Sequence, residues 1–560
     1  MILGILWMLI ANAAVLGVAV WLLRRFRTGS EVDWPLLLVL RIALISAIVL
    51  LSGLAGTLTA VFLGIAGGAT LALLLATRAL RPGPGLPRLE AGPVALAISA
   101  IVALRLAWQV AAFSPHVGDT LTYHLPKVAE WVRAGGFTRE LGADVRASFP
   151  AGFELIEAWW VVFLRHDALI ELAGIEFLLL AFAAVHSLGR TLGLAPRTAF
   201  WAALLFVLVP SFHLQATSCL NDGAVSALLL TALAFAAARA PLPLVAGVIG
   251  LGIGVKPTFA YALPGVAFLA FAVRRAPALS IPAPRGAVLF AIAATLAGAS
   301  WYLRNLLWYG NPIHPVGLAG IHGPSGSLSQ QVGPSLSSFT YNIQCLLDVR
   351  LLDSHRPYGP TADAIAGWGP VAVACGLPSL ILALREDRLW RLVASAFGIS
   401  LLSVFALVQL DLWFMRFVLF FPAILALSIA RLGGSWKGVV PLCVAGLLLQ
   451  FAGTFVSWEW RARLVVRPPP ELAPREPVAC FGDNLGFSYQ LYGRDYSRPV
   501  LFIRADSAAE LVDRVRRSGA RILFASPEWR RDKLILVEAL RLAPFRDLDR
   551  GFFLIPQDPR

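Results

Sequence analysis

Charge is what this sequence has least of. Asp, Glu, Lys and Arg make up 14% of its 560 residues, where a soluble chain carries about 25%. That shortage excludes an ordinary water-exposed surface over most of the chain. Cysteine is scarce as well. Cys219, Cys345, Cys375, Cys443 and Cys480 show no metal-ligand spacing, which excludes a zinc ribbon or similar cluster. A Cys219–Cys345 disulfide is an option, and unpaired, apolar-packed thiols are the simpler reading. No basic stretch precedes the first apolar run and no small-residue cleavage site follows it, so that run reads as a retained helix. No module presents a Lys/Arg face suited to nucleic acid. The net charge of +14 sits largely in short turns and in the C-terminal segment, where it suits anionic membrane lipids.

What fills the chain instead is hydrophobic sequence, 58% of it. Apolar runs fall at 1–23, 34–53, 56–78, 91–112, 168–186, 198–215, 223–238, 242–255, 258–273, 286–309, 368–385, 392–410, 414–430 and 437–457. Each must be helical, because lipid offers the backbone no hydrogen-bond partner. The pattern predicts an all-α polytopic membrane protein of about 12–14 transmembrane helices over residues 1–460. Alternate breaks carry the arginines, among them Arg24, Arg25, Arg78, Arg190, Arg274 and Arg385, and read as cytoplasmic turns. The long loops 113–167 and 310–367 and the segment from 461 then lie outside.

The polar groups collect on that outer side. GDTLTYHLPKVAEW, from Gly118 to Trp131, places an acid, a phenol, an imidazole and an ammonium beside very apolar sequence. Leu121, Leu125, Val128 and Val132 recur at helical spacing, so 121–134 is expected to lie in the interface plane. Tyr123, Lys127, Glu130 and Arg133 would face away from its apolar stripe. Phe153 to Phe163 is too short to span and reads as a second interfacial or re-entrant helix, with Trp159 and Trp160 at head-group depth. Asp119 and Asp222 either cap the helices that follow them or act as carboxylates in a site. Asn221 shares the second of these positions. Lys256, Arg304, His314 and Arg416 stand at outer helix ends or loop starts. Lys256 can snorkel or meet a phosphate, and Arg304 and Arg416 carry the donor fork that suits oxyanions. Arg416 can instead pair with Asp411 or another acid.

An acid, several cations and a greasy rim suit group transfer from a lipid phosphate. A carboxylate can act as general base on a hydroxyl, and Arg, Lys or a divalent metal ion can offset charge on a phosphate leaving group. GDTLTYHLPKVAEW, FPAGFELIEAWW, NDG, GVKPT, WYLRNLLWYGNPIHP and WFMRFVLFFP together resemble the GT-C superfamily of polytopic glycosyltransferases. The likeness is to its dolichyl-phosphate-mannose-protein mannosyltransferase-like and aminoarabinose-transferase-like members. It covers most of residues 90–430. It implies an essential acid at Asp119 that activates the acceptor for inversion at the sugar carbon, with Asp222 in support. It implies a polyprenyl-phosphate-linked sugar as donor, its phosphate met by Arg416 and, less closely matched, by Lys256 and Arg304. Tyr123, His124, Lys127, Asn221 and His314 complete the expected substrate-binding set. The acceptor class is an envelope lipid, glycan or protein, and the location a bacterial inner membrane with the site on its outer side. A polysaccharide ligase or polymerase using the same carriers is the alternative. A transporter would show duplicated halves and midplane polar groups.

After the last span, RPPPELAPREP reads as a stiff linker. Val478 to Phe481, Val500 to Ile503, Ala520 to Phe524 and Phe552 to Ile555 read as strands, and Ala508 to Ser518 as a helix. Residues 461–560 are thus expected to form a linker and a small extracytoplasmic α/β domain.

Overall fold

A computed structural model describes residues 2–26, 31–79, 89–115, 117–139, 145–274, 285–317, 336–346, 368, 371–385, 387–408, 414–433, 438–448, 469–482, 488–525, 530–548 and 551–555. Among these, seven helices are long and apolar enough to cross a membrane: Ile2–Phe26, Asp33–Leu54, Pro93–Ala112, Asp167–Thr191, Pro257–Arg274, Arg285–Tyr309 and Arg388–Leu407. Seven shorter apolar helices accompany them, at Ala60–Ala76, Pro196–Val207, Asp222–Ala237, Leu242–Val255, Ala372–Ala383, Pro422–Gly433 and Gly438–Leu448. Each expected apolar run holds one of these helices. The protein is a multi-pass membrane protein.

Proline explains where the runs depart from single straight helices. The run 198–215 breaks into Pro196–Val207 and Pro210–Gln215, because Pro210 has no N–H to continue the first and has the fixed φ to start the second. The run 414–430 opens as a 3-10 turn, Phe414–Val418, and becomes helical only at Pro422. Arg416 therefore stands on a turn rather than inside a helix.

Two expectations about the first long loop are corrected. The segment 121–134 is a π-turn, Thr120–His124, followed by the helix α1, Leu125–Ala134. It does not lie with a polar face toward head groups, since Lys127 and Glu130 are buried. The following helix α2, Gly152–Val162, is likewise enclosed by protein. Its Trp159 is buried and donates to Asn12 Oδ1 at 3.2 Å, so it faces protein rather than head groups. In both cases polar partners within the fold outcompete the interface. Where Leu242–Val255 crosses Arg285–Tyr309, Gly250 and Gly298 face each other so closely that a Cβ on Gly298 would strike the Gly250 carbonyl. That crossing seats the end of Leu242–Val255, and with it Lys256.

The C-terminal part forms a five-stranded sheet in the order β2-β1-β3-β5-β4, with β1 Val478–Phe481, β2 Val500–Ile503, β3 Ile522–Ala525, β4 Arg546–Asp547 and β5 Phe552–Leu554. β1 runs parallel to β2 and β3, and β5 runs antiparallel to β3 and β4. Alternation along the strands divides the two faces. Ala479, Phe481 and Leu523 meet Leu511 and Val515 of helix α3, Ala508–Arg517, and Ile535 and Ala539 of helix α4, Arg530–Leu542. Val478, Cys480, Ile522 and Phe524 belong to the same core as the membrane helices. Arg494 Nε donates to Asp167 Oδ1 at 2.8 Å, and Asp167 N donates to the Arg494 carbonyl at 3.2 Å.

Candidate active site

Five charges of alternating sign form the centre of the site. Arg146 Nη1 lies 3.2 Å from Asp119 Oδ1. Asp119 Oδ2 lies 2.9 Å from Arg416 Nη2. Arg416 Nε lies 3.2 Å from Asp222 Oδ2, and Asp222 Oδ1 lies 2.6 Å from Lys256 Nζ. Arg416 thus bridges the two acids that sequence reading singled out. Neither acid caps its helix through its side chain, and Asn221 does not either. Asn221 donates instead to the Val255 carbonyl at 3.3 Å, tying the start of Asp222–Ala237 to the residue before Lys256. Asp411 lies outside the described residues.

Burial would raise the Asp119 carboxyl, but Arg416 and Arg146 outweigh it and hold the group well below the usual carboxylate range. Tyr123 lies under the Arg146 guanidinium, 4.6 Å from ring to charge, and Phe417 lies 4.6 Å from the Lys256 ammonium. Arg146 and Lys256 are therefore each held from two sides, by a carboxylate and by a ring face.

A second buried group adjoins the first. Glu154 Oε1, on α2, accepts from His124 Nδ1 at 2.8 Å and from Lys127 Nζ at 2.6 Å. Lys127 and Glu154 are essentially without solvent contact, 1% and 0% exposed. Burial opposes ionisation of Glu154, yet Lys127 and His124 bring its carboxyl down to about 2.

Arg304 and His314 stand apart from both groups. Arg304 stacks on Trp308 at 4.0 Å and Trp301 at 4.5 Å and donates to Asn305 Oδ1 at 2.8 Å. The His314 ring stacks on Tyr309 at 4.0 Å. Among the described residues, neither is hydrogen-bonded or ion-paired to Asp119, Asp222, Lys256 or Arg416. The expected single set of phosphate ligands is thus divided in two. Asn305 joins the parts indirectly: its Nδ2 donates to the Ser148 carbonyl at 2.8 Å, as does Trp301 Nε1 at 2.9 Å, and Ser148 ends the 3-10 turn Val145–Ser148 that carries Arg146.

Arg146 and Glu154 were not singled out by sequence reading. Arg146 has no local pattern, since its partner lies 27 positions away. Glu154 and Glu157 did carry a signal, two acids three apart in a strongly apolar segment.

The helical arrangement matches ArnT from Cupriavidus metallidurans, solved bound to undecaprenyl phosphate. The TM-score is 0.53, the alignment covers 83% of this chain and 98% of that one, and identity is 13%. The fold is of the GT-C type. An oligosaccharyltransferase of Archaeoglobus fulgidus, solved with zinc and sulfate, aligns with a TM-score of 0.38 and 14% identity over 77% of this chain and 67% of that one. No family model and no curated protein sequence matches the chain.

Among the described residues no three His, Cys, Asp or Glu side chains gather as ligands, and Asp119 and Asp222 face cations. Cys219 is a free, buried thiol, and the side chain of Cys345 lies outside the described residues.

Proposed function

We propose that this protein is a membrane glycosyltransferase that moves a sugar from a polyprenyl-phosphate-linked donor to an envelope lipid, glycan or protein. The observation that carries this reading is the chain Arg146–Asp119–Arg416–Asp222–Lys256. Three cations and two carboxylates leave one net positive charge, and every cation already has an oxyanion geometry around it. A phosphate oxygen can take the place of a carboxylate oxygen on Arg416, because both accept from the same planar fork. The GT-C fold and the undecaprenyl phosphate bound to ArnT support a lipid phosphate as the anion.

A small apolar hollow of about 30 Å³ is lined by residues including Leu205, Pro210, Trp368, Pro422, Ala426 and Leu442. Asp119 is 23% exposed and, kept ionised by its two arginines, can orient the hydroxyl or amine of an acceptor. Charge on the departing polyprenyl phosphate is offset by Arg146, Arg416 and Lys256. The reaction breaks the bond between the anomeric carbon and the phosphate oxygen from the side opposite the acceptor, which inverts that carbon. The site faces the outer side of a bacterial inner membrane in this reading.

The test is direct. Purified protein in lipid nanodiscs is incubated with radiolabelled undecaprenyl-phosphate monosaccharides and extracted envelope material. Wild type should move label to the envelope fraction and Arg416→Ala should not. Wild type that leaves all label on the carrier, across the sugars offered, would count against the assignment.

A further inference from the structure

The reaction just proposed releases a proton from the acceptor, and Asp119 is badly placed to keep it. Arg416 and Arg146 stabilise its ionised form, and a proton would have to displace both.

A better proton acceptor stands beside it. In an α-helix, residues five apart point to different sides. The π-turn Thr120–His124, with its wider repeat, brings Asp119 and His124 nearly over one another. π-turns of this kind recur at functional sites. A carboxylate only accepts, so the contact from His124 Nδ1 to Glu154 Oε1 places a hydrogen on Nδ1. In the neutral ring that leaves Nε2 as a lone-pair acceptor. His124 is 3% exposed, and among the described residues Nε2 has no hydrogen-bond partner. Burial, outweighing the pull of Glu154, holds the imidazole below its ordinary pKa, so it is neutral and ready to accept at physiological pH.

We propose that His124 Nε2, with Glu154 behind it, takes the acceptor's proton, while Asp119 orients that acceptor and secures the arginines. This rests on the glycosyltransferase reading above. As the acceptor's oxygen or nitrogen forms its bond to the anomeric carbon, its O–H or N–H proton passes to Nε2. The bond from that carbon to the phosphate oxygen breaks, and its electron pair leaves with the polyprenyl phosphate. The imidazolium so formed is stabilised by Glu154 through Nδ1–H and by the nearby Asp119 carboxylate, and later returns its proton to water. The charged and titratable groups around His124 are Asp119 and Tyr123 on its own turn, Lys127 on α1, Glu154 and Glu157 on α2, and Arg146, which lies over Tyr123. Lys127 opposes the imidazolium and the two acids Asp119 and Glu154 favour it.

His124→Asn is the informative variant, because the amide keeps a donor for Glu154 and lacks Nε2. In the full-length protein, with undecaprenyl-phosphate monosaccharides as donors, kcat should fall by about 100-fold to 10,000-fold. The Kd for undecaprenyl phosphate should stay within about twofold, since the five-charge chain is intact. Because burial lowers the His124 pKa, wild-type kcat should decline on the acid side of the ordinary imidazole range near about 6.5, and that limb should vanish in His124→Asn. Glu154→Gln, which leaves the imidazole but removes its charged partner, should move the limb to lower pH. Unchanged kcat in His124→Asn, equal loss of binding and turnover, or an unmoved limb in Glu154→Gln would each overturn the assignment. Wild type without any transfer would take down the glycosyltransferase reading as well, whereas transfer by wild type and His124→Asn alike overturns the base alone.

Discussion

Arg416 is the residue on which the site turns, since among the described residues it alone is ion-paired to both Asp119 and Asp222. Its fork reaches two acids at once, a geometry that an ammonium cannot copy. Arg416→Lys should therefore raise the donor KM by about tenfold or more, the loss of about 1.4 kcal/mol that one charge-assisted hydrogen bond supplies. Steady-state kinetics at fixed acceptor would show it, and an unchanged KM would mean the phosphate binds elsewhere. Asp119 gives a pH test. Its folded-state pKa is depressed by Arg416 and Arg146, so the stability it contributes is full above the ordinary carboxylate range, near pH 4. That contribution fades only as pH falls below it, toward the folded-state value. The Tm gap between wild type and Asp119→Asn should hold steady from about pH 7 to pH 5 and narrow under more acid conditions. A gap that closes already near neutrality would mean the ion pairs do not hold the carboxylate.

At the scale of elements, the site depends on turns and on close helix crossings. Asn305 keeps the Val145–Ser148 turn in place through the Ser148 carbonyl, and with it Arg146. Asn305→Ala should leave the helices intact by circular dichroism but weaken binding of undecaprenyl phosphate several-fold; equal affinity would show that Arg146 needs no such support. Gly298→Val would force Leu242–Val255 away from Arg285–Tyr309 at the Gly250 contact. The expected cost is about 1–3 kcal/mol of overpacking, seen as a lower Tm in nanodiscs, and an unchanged Tm would show that the crossing relaxes freely. The helices themselves were legible in the sequence, because lipid imposes one solution on each apolar run. Asp119, Asp222, Lys256 and Arg416 were legible too, as charges that apolar sequence must have a reason to carry. Their alternation was not, because it depends on tertiary approach between segments as far apart as 119 and 416. The burial of Lys127 escaped for the same reason: hydrophobic spacing placed it on a polar face, and only the fold shows Glu154 waiting there.

Across the whole molecule, the sheet shares its core with the membrane helices on one face and carries α3 and α4 on the other. It is thereby fixed to the segment that holds the site, and Arg494 with Asp167 forms one visible tie. Arg494→Glu would set two acids against each other. Limited proteolysis should then cut between the membrane part and the sheet faster than in wild type, and an identical cleavage rate would show that the shared core alone suffices. A periplasmic-active reporter fused after residue 560 should be active if the site faces outward; a reporter active only in the cytoplasm would reverse the topology.

The central claim is that the alternating charges around Arg416 receive a lipid phosphate. Titrating undecaprenyl phosphate into the purified protein and following intrinsic tryptophan fluorescence tests it most directly. Saturable binding in wild type, weakened at least tenfold in Arg416→Ala and little changed in His124→Asn, is the expected result. Binding that is absent from wild type, or indifferent to Arg416, would contradict it.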